Sequence, residues 1–317
     1  MRVLFWGTPE FATPALRALL GEGFEVCGVV TQPDRPVGRS RSTAQPSPVK
    51  LIGLDEGIPV LQPERPRGEE FLAEVARLDA DLSVVVAYGH ILPKSVIDLP
   101  RRGTVNIHAS LLPALRGAAP LQAAIREGLD ETGVTIMRMV PPLDAGPIIL
   151  QARTAVLEDE TYGELSLRLS ELGALTLIEA LSLLELGGAE ERAQDERFAT
   201  FAHKIDRAAT WVEWNASAAQ VCRLIRSLDP KPGAVTTLRG TEVKLYGARL
   251  APGAAALTPG SIQSIDDEGM IVACGEGAVR IAVVQPSGKR RLTPNEWAHG
   301  RAAAVGDRFE PSPATVA

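Results

Sequence analysis

GTVNIHASLLPALRGAAP, residues 103–120, is the stretch on which the reading of this chain turns. Residues 104–108 carry the apolar, β-branched pattern of a buried strand end. Residues 116–128 carry a helical pattern, which leaves 109–115 as the turn between them. In an open α/β sheet, ligands bind where strand ends meet such turns. Asn106 and His108 are two positions apart, so on an extended strand both project to one face and Ile107 to the other. A strand buried on both faces is expected to be apolar throughout. Two polar side chains aimed the same way at its carboxyl end are either hydrogen-bonded packing residues or a site, and this stretch alone leaves both open.

The flanking sequence supplies the sheet. Residues 2–6, 25–31, 59–61, 82–87, 134–140 and 148–157 read as strands, and 10–20, 47–56, 69–78 and 161–186 as helices, so the leading part is α/β. Its β-α-β opening resembles a nucleotide-binding fold, but the turn is G-T-P-E-F-A and not G-x-G-x-x-G. Pro9 and Phe11 stand where a dinucleotide needs close backbone approach, which excludes a nicotinamide cofactor. Residues 187–207 read as a charged connector with Q-D-E at 194–196. After a helix at 217–228 the pattern changes to short strands at 234–238, 243–250, 260–265, 270–273 and 279–284. Turns rich in Gly, Pro and Asp separate them, and this spacing predicts a small β-barrel.

The chain has 317 residues, 45% of them hydrophobic and 23% charged. That length predicts two domains, since single cores seldom grow past ~250–300 residues. No apolar run approaches the ~18 residues of a membrane span. Cys27, Cys222 and Cys274 are far apart among apolar neighbours and form no C-x-x-C pair, the pattern of reduced, buried thiols in a cytosolic protein. The four histidines show no metal-ligand spacing, so no metal is expected. Net charge is −6, yet from Asp206 onward there are 13 basic and 11 acidic residues, so the tail is the half suited to a polyanion. The polar stretch 32–45 holds Arg35, Arg39 and Arg41. It is either a solvated loop or a grip on phosphates. Asp144, in P-P-L-D-A-G-P, is either a turn residue bonding its own backbone or a functional carboxylate in a constrained loop.

Together these segments resemble the folate-dependent formyltransferases, over nearly the whole chain. The resemblance is carried by TQPDRPVGR (31–39), SPVK (47–50), VVVAYGHILP (84–93), NIHASLLP (106–113), RGAAP (116–120), ETGVTIM (131–137) and LDAG (143–146). The N-x-H, SLLP and D-x-G set points to formyl transfer. TQPD with RGAAP and a trailing β-domain points to the branch that formylates methionyl-tRNA. The resemblance implies a Rossmann-like, mostly parallel catalytic domain (1–189), a linker (190–207) and a C-terminal OB-like β-barrel (208–317) that binds tRNA. It also implies 10-formyltetrahydrofolate as donor and the α-amino group of methionyl-initiator tRNA as acceptor; a cytoplasmic monomer is expected. Asn106, His108 and Asp144 are the implied catalytic residues. Ser110, Leu111, Leu112, Pro113 and Leu92 would line the folate pocket, although Ser110 also reads as a turn residue or a helix-leading cap. Arg39 and Arg41 would contact the tRNA acceptor stem, and Lys289, Arg290 and Arg291 its backbone further along.

The residue types suit that chemistry. An amine attacks the formyl carbon and charge grows on the formyl oxygen, so hydrogen-bond donors are needed, each worth ~3–4 kcal/mol. Asn106 offers an amide N–H and His108 an imidazole N–H from one face. An α-amino group has a reference pKa of about 7.7–8.0, so a useful fraction is neutral near pH 7 and Asp144 need only accept the proton shed after attack. Two departures from relatives stand out: Ala114-Leu115 where many carry a basic residue and a tryptophan, and Pro147 where many carry a second carboxylate. A formyltransferase acting on an amino-sugar nucleotide or ribonucleotide amine would share the core, but RGAAP and the β-rich tail argue against it. A non-catalytic RNA-binding protein would not need Asn106, His108 and Asp144.

Overall fold

The computed structural model describes residues 1–36, 44–252 and 258–310. Two compact units form: Met1–Pro120 with Thr132–Ala155 and Ser166–Ala202, and Leu121–Glu131 with Val156–Leu165 and His203–Ala317. The first is α/β and holds a seven-stranded sheet in the order Ile148–Ala155, Glu131–Arg138, Thr104–His108, Leu82–Val86, Arg2–Gly7, Glu25–Val30, Val60–Leu61. From Thr104–His108 to Val60–Leu61 the neighbours run parallel, and Glu131–Arg138 lies antiparallel to Thr104–His108. Both faces are covered. Val3 and Phe5 pack with Leu16 and Leu19 of helix Thr13–Gly21 and Leu177 and Leu181 of helix Tyr162–Leu186. Leu4 and Trp6 pack on the opposite side with Phe71, Val75 and Val96. A strand covered on two faces reads as an unbroken apolar run, as residues 3–6 do.

The chain winds outward from Arg2–Gly7 to Val60–Leu61, then returns to Leu82–Val86 on the other flank, so the switch in strand order opens a crevice at these carboxyl ends. Loops leaving those ends are stitched together. Thr8 Oγ1 donates to the Tyr88 carbonyl at 3.0 Å, and Gln32 Nε2 to the same oxygen at 3.1 Å. Lys50 Nζ meets Asp34 Oδ2 at 2.6 Å, and Gln62 Nε2 donates to Asp34 Oδ1 at 2.8 Å. The T-Q-P-D and S-P-V-K segments are thus two halves of one brace. Those bonds, from Lys50 first and Gln62 second, hold the Asp34 carboxyl below its ordinary range. A carboxylate with a depressed folded pKa contributes stability present above its unfolded value of about 3.9 and lost as pH falls through the folded one. Asp34→Asn should therefore be less stable than the parent at pH ~6, with the gap closing below pH ~4, as read from denaturant midpoints at each pH.

The second unit carries a five-stranded sheet ordered Ala234–Leu238, Thr241–Ala251, Ala278–Pro286, Gly269–Ala273, Ile262–Asp266, antiparallel throughout. Helix Ala218–Ser227, closed by a Ser217–Gln220 capping box, sets Val221 and Ile225 into its core. Helix Pro294–His299, missed in the sequence, has a Thr293–Glu296 capping box of its own. Trp214 stacks on Phe309 at 5.2 Å. Cys27, Cys222 and Cys274 are all buried free thiols, and burial pushes Cys222 and Cys274 up to about 12.

Three expectations need revising. The helix expected at 10–20 is a 3-10 turn, Glu10–Ala12, leading into helix Thr13–Gly21. The helix expected at 116–128 begins only at Pro120, and Arg116–Gly117 is instead a strand parallel to Phe201–Ala202. Gly117 takes a φ of +119°, outside helical space, and a Cβ there would lie 2.6 Å from the Ala202 carbonyl oxygen. The stretch 187–207, expected as a connector, supplies that pairing strand. Arg39 and Arg41 lie outside the described residues; the flanks Arg35–Pro36 and Ala44–Gln45 pair antiparallel.

Candidate active site

Strand Thr104–His108 presents Asn106 and His108 on one face as its period requires, with Asn106 partly exposed and His108 buried. His108 is hydrogen-bonded through one ring nitrogen and has a carboxylate near the other. Nε2 lies 2.9 Å from the Leu115 carbonyl, and since a carbonyl only accepts, Nε2 carries a proton. Nδ1 faces Asp144 Oδ2 at 3.6 Å, in a setting where the two side chains are 6% and 13% exposed. Asp144 Oδ2 also accepts from the Gly117 N–H at 2.8 Å. The expected free imidazole donor is therefore already spoken for by Leu115, while the Asn106 side-chain amide makes no hydrogen bond among the described residues.

The turn that supplies these partners is shaped by its own strain. Leu115 (φ +60°) and Asp144 (φ +48°) both occupy the left-handed region, which is uncommon for non-glycine residues and tolerated best by Asp and Asn. For Leu115 that conformation sends its N–H to Thr200 Oγ1 at 2.9 Å and its carbonyl to His108. Leu115 itself is 2% exposed, so this position offers packing and no stacking surface.

Ser110 proves to be a turn residue: it is 1% exposed, and its Oγ donates to the Ala114 carbonyl at 2.5 Å. Thr135 Oγ1 donates to the Ser110 carbonyl (2.6 Å) and accepts from the Leu112 N–H (3.1 Å), while Gln151 Nε2 donates to the Leu112 carbonyl (2.9 Å). The 110–113 backbone is thus held rigid from beneath. Leu111 and Pro113 are partly exposed. Leu112 and Leu92 are each 3% exposed and sit in different apolar clusters, Leu112 with Met137 and Ile148, Leu92 with Trp6, Tyr88 and Val96.

The chain from 194 to 202 joins this assembly, which sequence reasoning missed. Arg116 is 3% exposed, and its guanidinium donates to Gln194 Oε1 from Nε (3.1 Å) and NH2 (2.8 Å). The same group meets the Glu196 carboxylate at 2.9 and 2.8 Å. Gln194 Nε2 in turn donates to the carbonyls of Asp144 (2.7 Å) and Gly146 (2.8 Å). No periodicity marks Gln194. The one sequence hint was Arg116, a charged side chain in an otherwise small and apolar R-G-A-A-P.

Lys289, Arg290 and Arg291 are exposed in the second unit. Arg290 donates to Glu296 Oε1 at 2.9 Å, and Arg291 lies 3.8 Å over the Tyr246 ring while donating to the Pro230 carbonyl at 2.8 Å. The Lys289 ammonium has no hydrogen-bond or ion-pair partner among the described residues. Among the same residues no group of three or more His, Cys, Asp or Glu is arranged to hold a metal ion, and no helix is long and apolar enough to cross a membrane.

The sequence profile described as formyl transferase matches residues 1–181, and that of the formyl transferase C-terminal domain matches 204–302. The chain belongs to the formyl transferase family. Among the relatives of this formyltransferase, methionyl-tRNA formyltransferase of Methylococcus capsulatus is 46% identical over 304 residues, covering 96% of this chain and 98% of that protein. The enzyme of the same name from Aromatoleum aromaticum is 46% identical over 310 residues, covering 98% and 97%. HypX from Aquifex aeolicus, solved in complex with tetrahydrofolic acid, superposes with a TM-score of 0.67 at 20% identity, over 96% of this formyltransferase and 48% of HypX. That likeness shows the fold alone, and this chain spans about half the HypX length.

Proposed function

We propose that this formyltransferase moves the formyl group of 10-formyltetrahydrofolate onto the α-amino group of methionyl-initiator tRNA, giving the N-formylated tRNA used in translation initiation. The observation that carries the reading is an unpartnered Asn106 amide beside a buried His108–Asp144 pair, in a chain 46% identical almost end to end to methionyl-tRNA formyltransferases.

The donor fits what is present: a rigid 110–113 turn whose own polar groups are satisfied, next to one amide donor left without a partner. When bound, the folate supplies a formyl carbon on a nitrogen that leaves. Asn106 donates to the formyl oxygen as charge builds there. His108, anchored through its Nε2–H to Leu115, is oriented by that bond, and Asp144 takes the proton released from the attacking amine, which passes on to the folate nitrogen as it leaves. Ser110 to Pro113 contribute through backbone shape. Residues 1–189 act as the catalytic domain, 190–207 as the linker and 208–317 as an OB-like, tRNA-binding barrel, in a cytoplasmic monomer. Arg39 and Arg41 fix the acceptor end.

Radiolabelled formyl transfer to charged initiator tRNA, uncharged tRNA and a sugar-nucleotide amine tests the reading. Label on charged tRNA alone is expected. Label on the sugar nucleotide alone, or on nothing, would overturn it.

In the barrel, Lys289, Arg290 and Arg291 grip phosphate, and Lys289 is the cation least committed elsewhere. Replacing all three with Ala should raise KM for tRNA, leave kcat nearly unchanged, and reduce the slope of log affinity against log salt by about 0.7–0.9 for each phosphate no longer neutralised. An unchanged salt slope would take this cluster off the tRNA path.

A further inference from the structure

We propose that Gln194, secured by Arg116, is a positioning residue for formyl transfer: it clamps the Asp144 loop to the R-G-A-A-P turn and so sets the placement of Asp144 against His108. The proposal rests on the reading of His108 and Asp144 as catalytic. Gln194 spends its whole amide on this junction. Its oxygen accepts twice from Arg116, and its nitrogen donates to the carbonyls of Asp144 and Gly146, at 2.7 and 2.8 Å.

The clamp closes a ring around His108. One arm runs from Arg116 to Leu115, whose carbonyl holds Nε2, and to Gly117, whose N–H holds Asp144 Oδ2. The other runs from Gln194 to the backbone of Asp144 itself. Asp144 takes the left-handed region that Asp tolerates (φ +48°), and the bond to its carbonyl is the contact that fixes it there from the linker side. Glu196, 70% exposed, completes the anchoring of the nearly buried Arg116, which fixes the height of Gln194. Rate depends steeply on such placement, with a displacement of ~1 Å costing up to ~10²-fold. The consequence is that residues in the expected linker set turnover without touching either substrate.

Gln194→Glu is the discriminating variant. A carboxylate keeps, and strengthens, the contact with Arg116 while removing both N–H donations to the Asp144 loop. The expected result is a folded protein with kcat lower by ~10-fold or more and KM for both substrates within about twofold of the parent. Because Arg116 keeps the introduced carboxyl ionised, the N–H donations stay lost across the assay range, and the loss falls on kcat and not on KM. Should that variant fail to fold, Glu196→Ala, at an exposed position, loosens Arg116 alone and is expected to lower kcat about threefold or more with KM unchanged.

Wild-type kcat in whichever variant folds would overturn the proposal, as would a Gln194→Glu loss that appears in KM and not in kcat. Asp144→Ala is assayed alongside. Should Asp144→Ala retain full turnover, the catalytic reading fails; should it lose turnover while the linker variants do not, only the positioning role fails.

Discussion

Alanine at Asn106, His108 or Asp144 should lower kcat for formyl transfer by at least ~10²-fold, with KM for tRNA changed far less and the fold intact. For Asn106 the reason is direct. Its amide is partly exposed on the strand face shared with His108 and has no protein partner among the described residues, so nothing in the fold depends on it. Loss of one oxyanion donor is worth ~10²–10³ in kcat. His108→Ala also leaves the Leu115 carbonyl and the Asp144 carboxylate facing an empty space, so some destabilisation should accompany the rate loss. Asp144→Asn is the gentler probe: its side-chain oxygen can still accept the Gly117 N–H, yet the charge is gone, and a rate loss above ~10-fold is expected. Single-turnover formylation with thermal unfolding of each variant checks this. Near-normal turnover in all three would place the chemistry elsewhere.

Gly146→Ala should be the most damaging single methyl group in the site. A Cβ at Gly146 would stand 1.8 Å from the Arg138 carbonyl oxygen and 2.8 Å from its carbon, both backbone atoms. The Arg138 N–H is simultaneously bonded to the Pro147 carbonyl at 2.9 Å, so relief requires the two segments to part. Overpacking of this kind costs typically ~1–3 kcal/mol, and with rigid backbone on both sides the upper end or beyond is expected. The displaced carbonyl of Gly146 is one of the two that Gln194 grips, two residues from the Asp144 carboxyl, so kcat should fall by ~10²-fold as well. Gly21→Ala serves as the control, since nothing lies within 4 Å of a Cβ there. Equal stability and turnover in the two variants would show that the D-x-G glycine is a matter of composition and not of space.

Much of the candidate site is legible in the sequence alone. The two-residue period placed Asn106 and His108 on one face, and the unbroken apolar run of 3–6 announced a strand covered on both sides. The short, turn-punctuated strands after 233 announced a β-rich tail, which is a five-stranded antiparallel sheet. The motif resemblance named the family to which the chain belongs. Such features are local, written in the spacing of neighbours along the chain.

What only the tertiary structure decided is how those residues are held. Arg116 read as the start of a helix because the helix-forming run L-Q-A-A-I-R-E at 121–127 follows close behind it. It is a strand residue because its ladder partner is Phe201, far along the chain. Gln194 bonds residues 50 and 78 positions away, and Leu115 takes its brace from Thr200, 85 positions away. The surroundings of His108 likewise depend on a carbonyl and a carboxylate brought in from separate loops, the first bonded to Nε2 and the second facing Nδ1. Hydrogen bonds across such separations leave no period and no composition in the sequence, since each consumes one polar atom in a segment otherwise indistinguishable from a solvated connector. The sequence determined the chemical groups and the strand that presents them; the fold alone decided which of their donors and acceptors remain free to act.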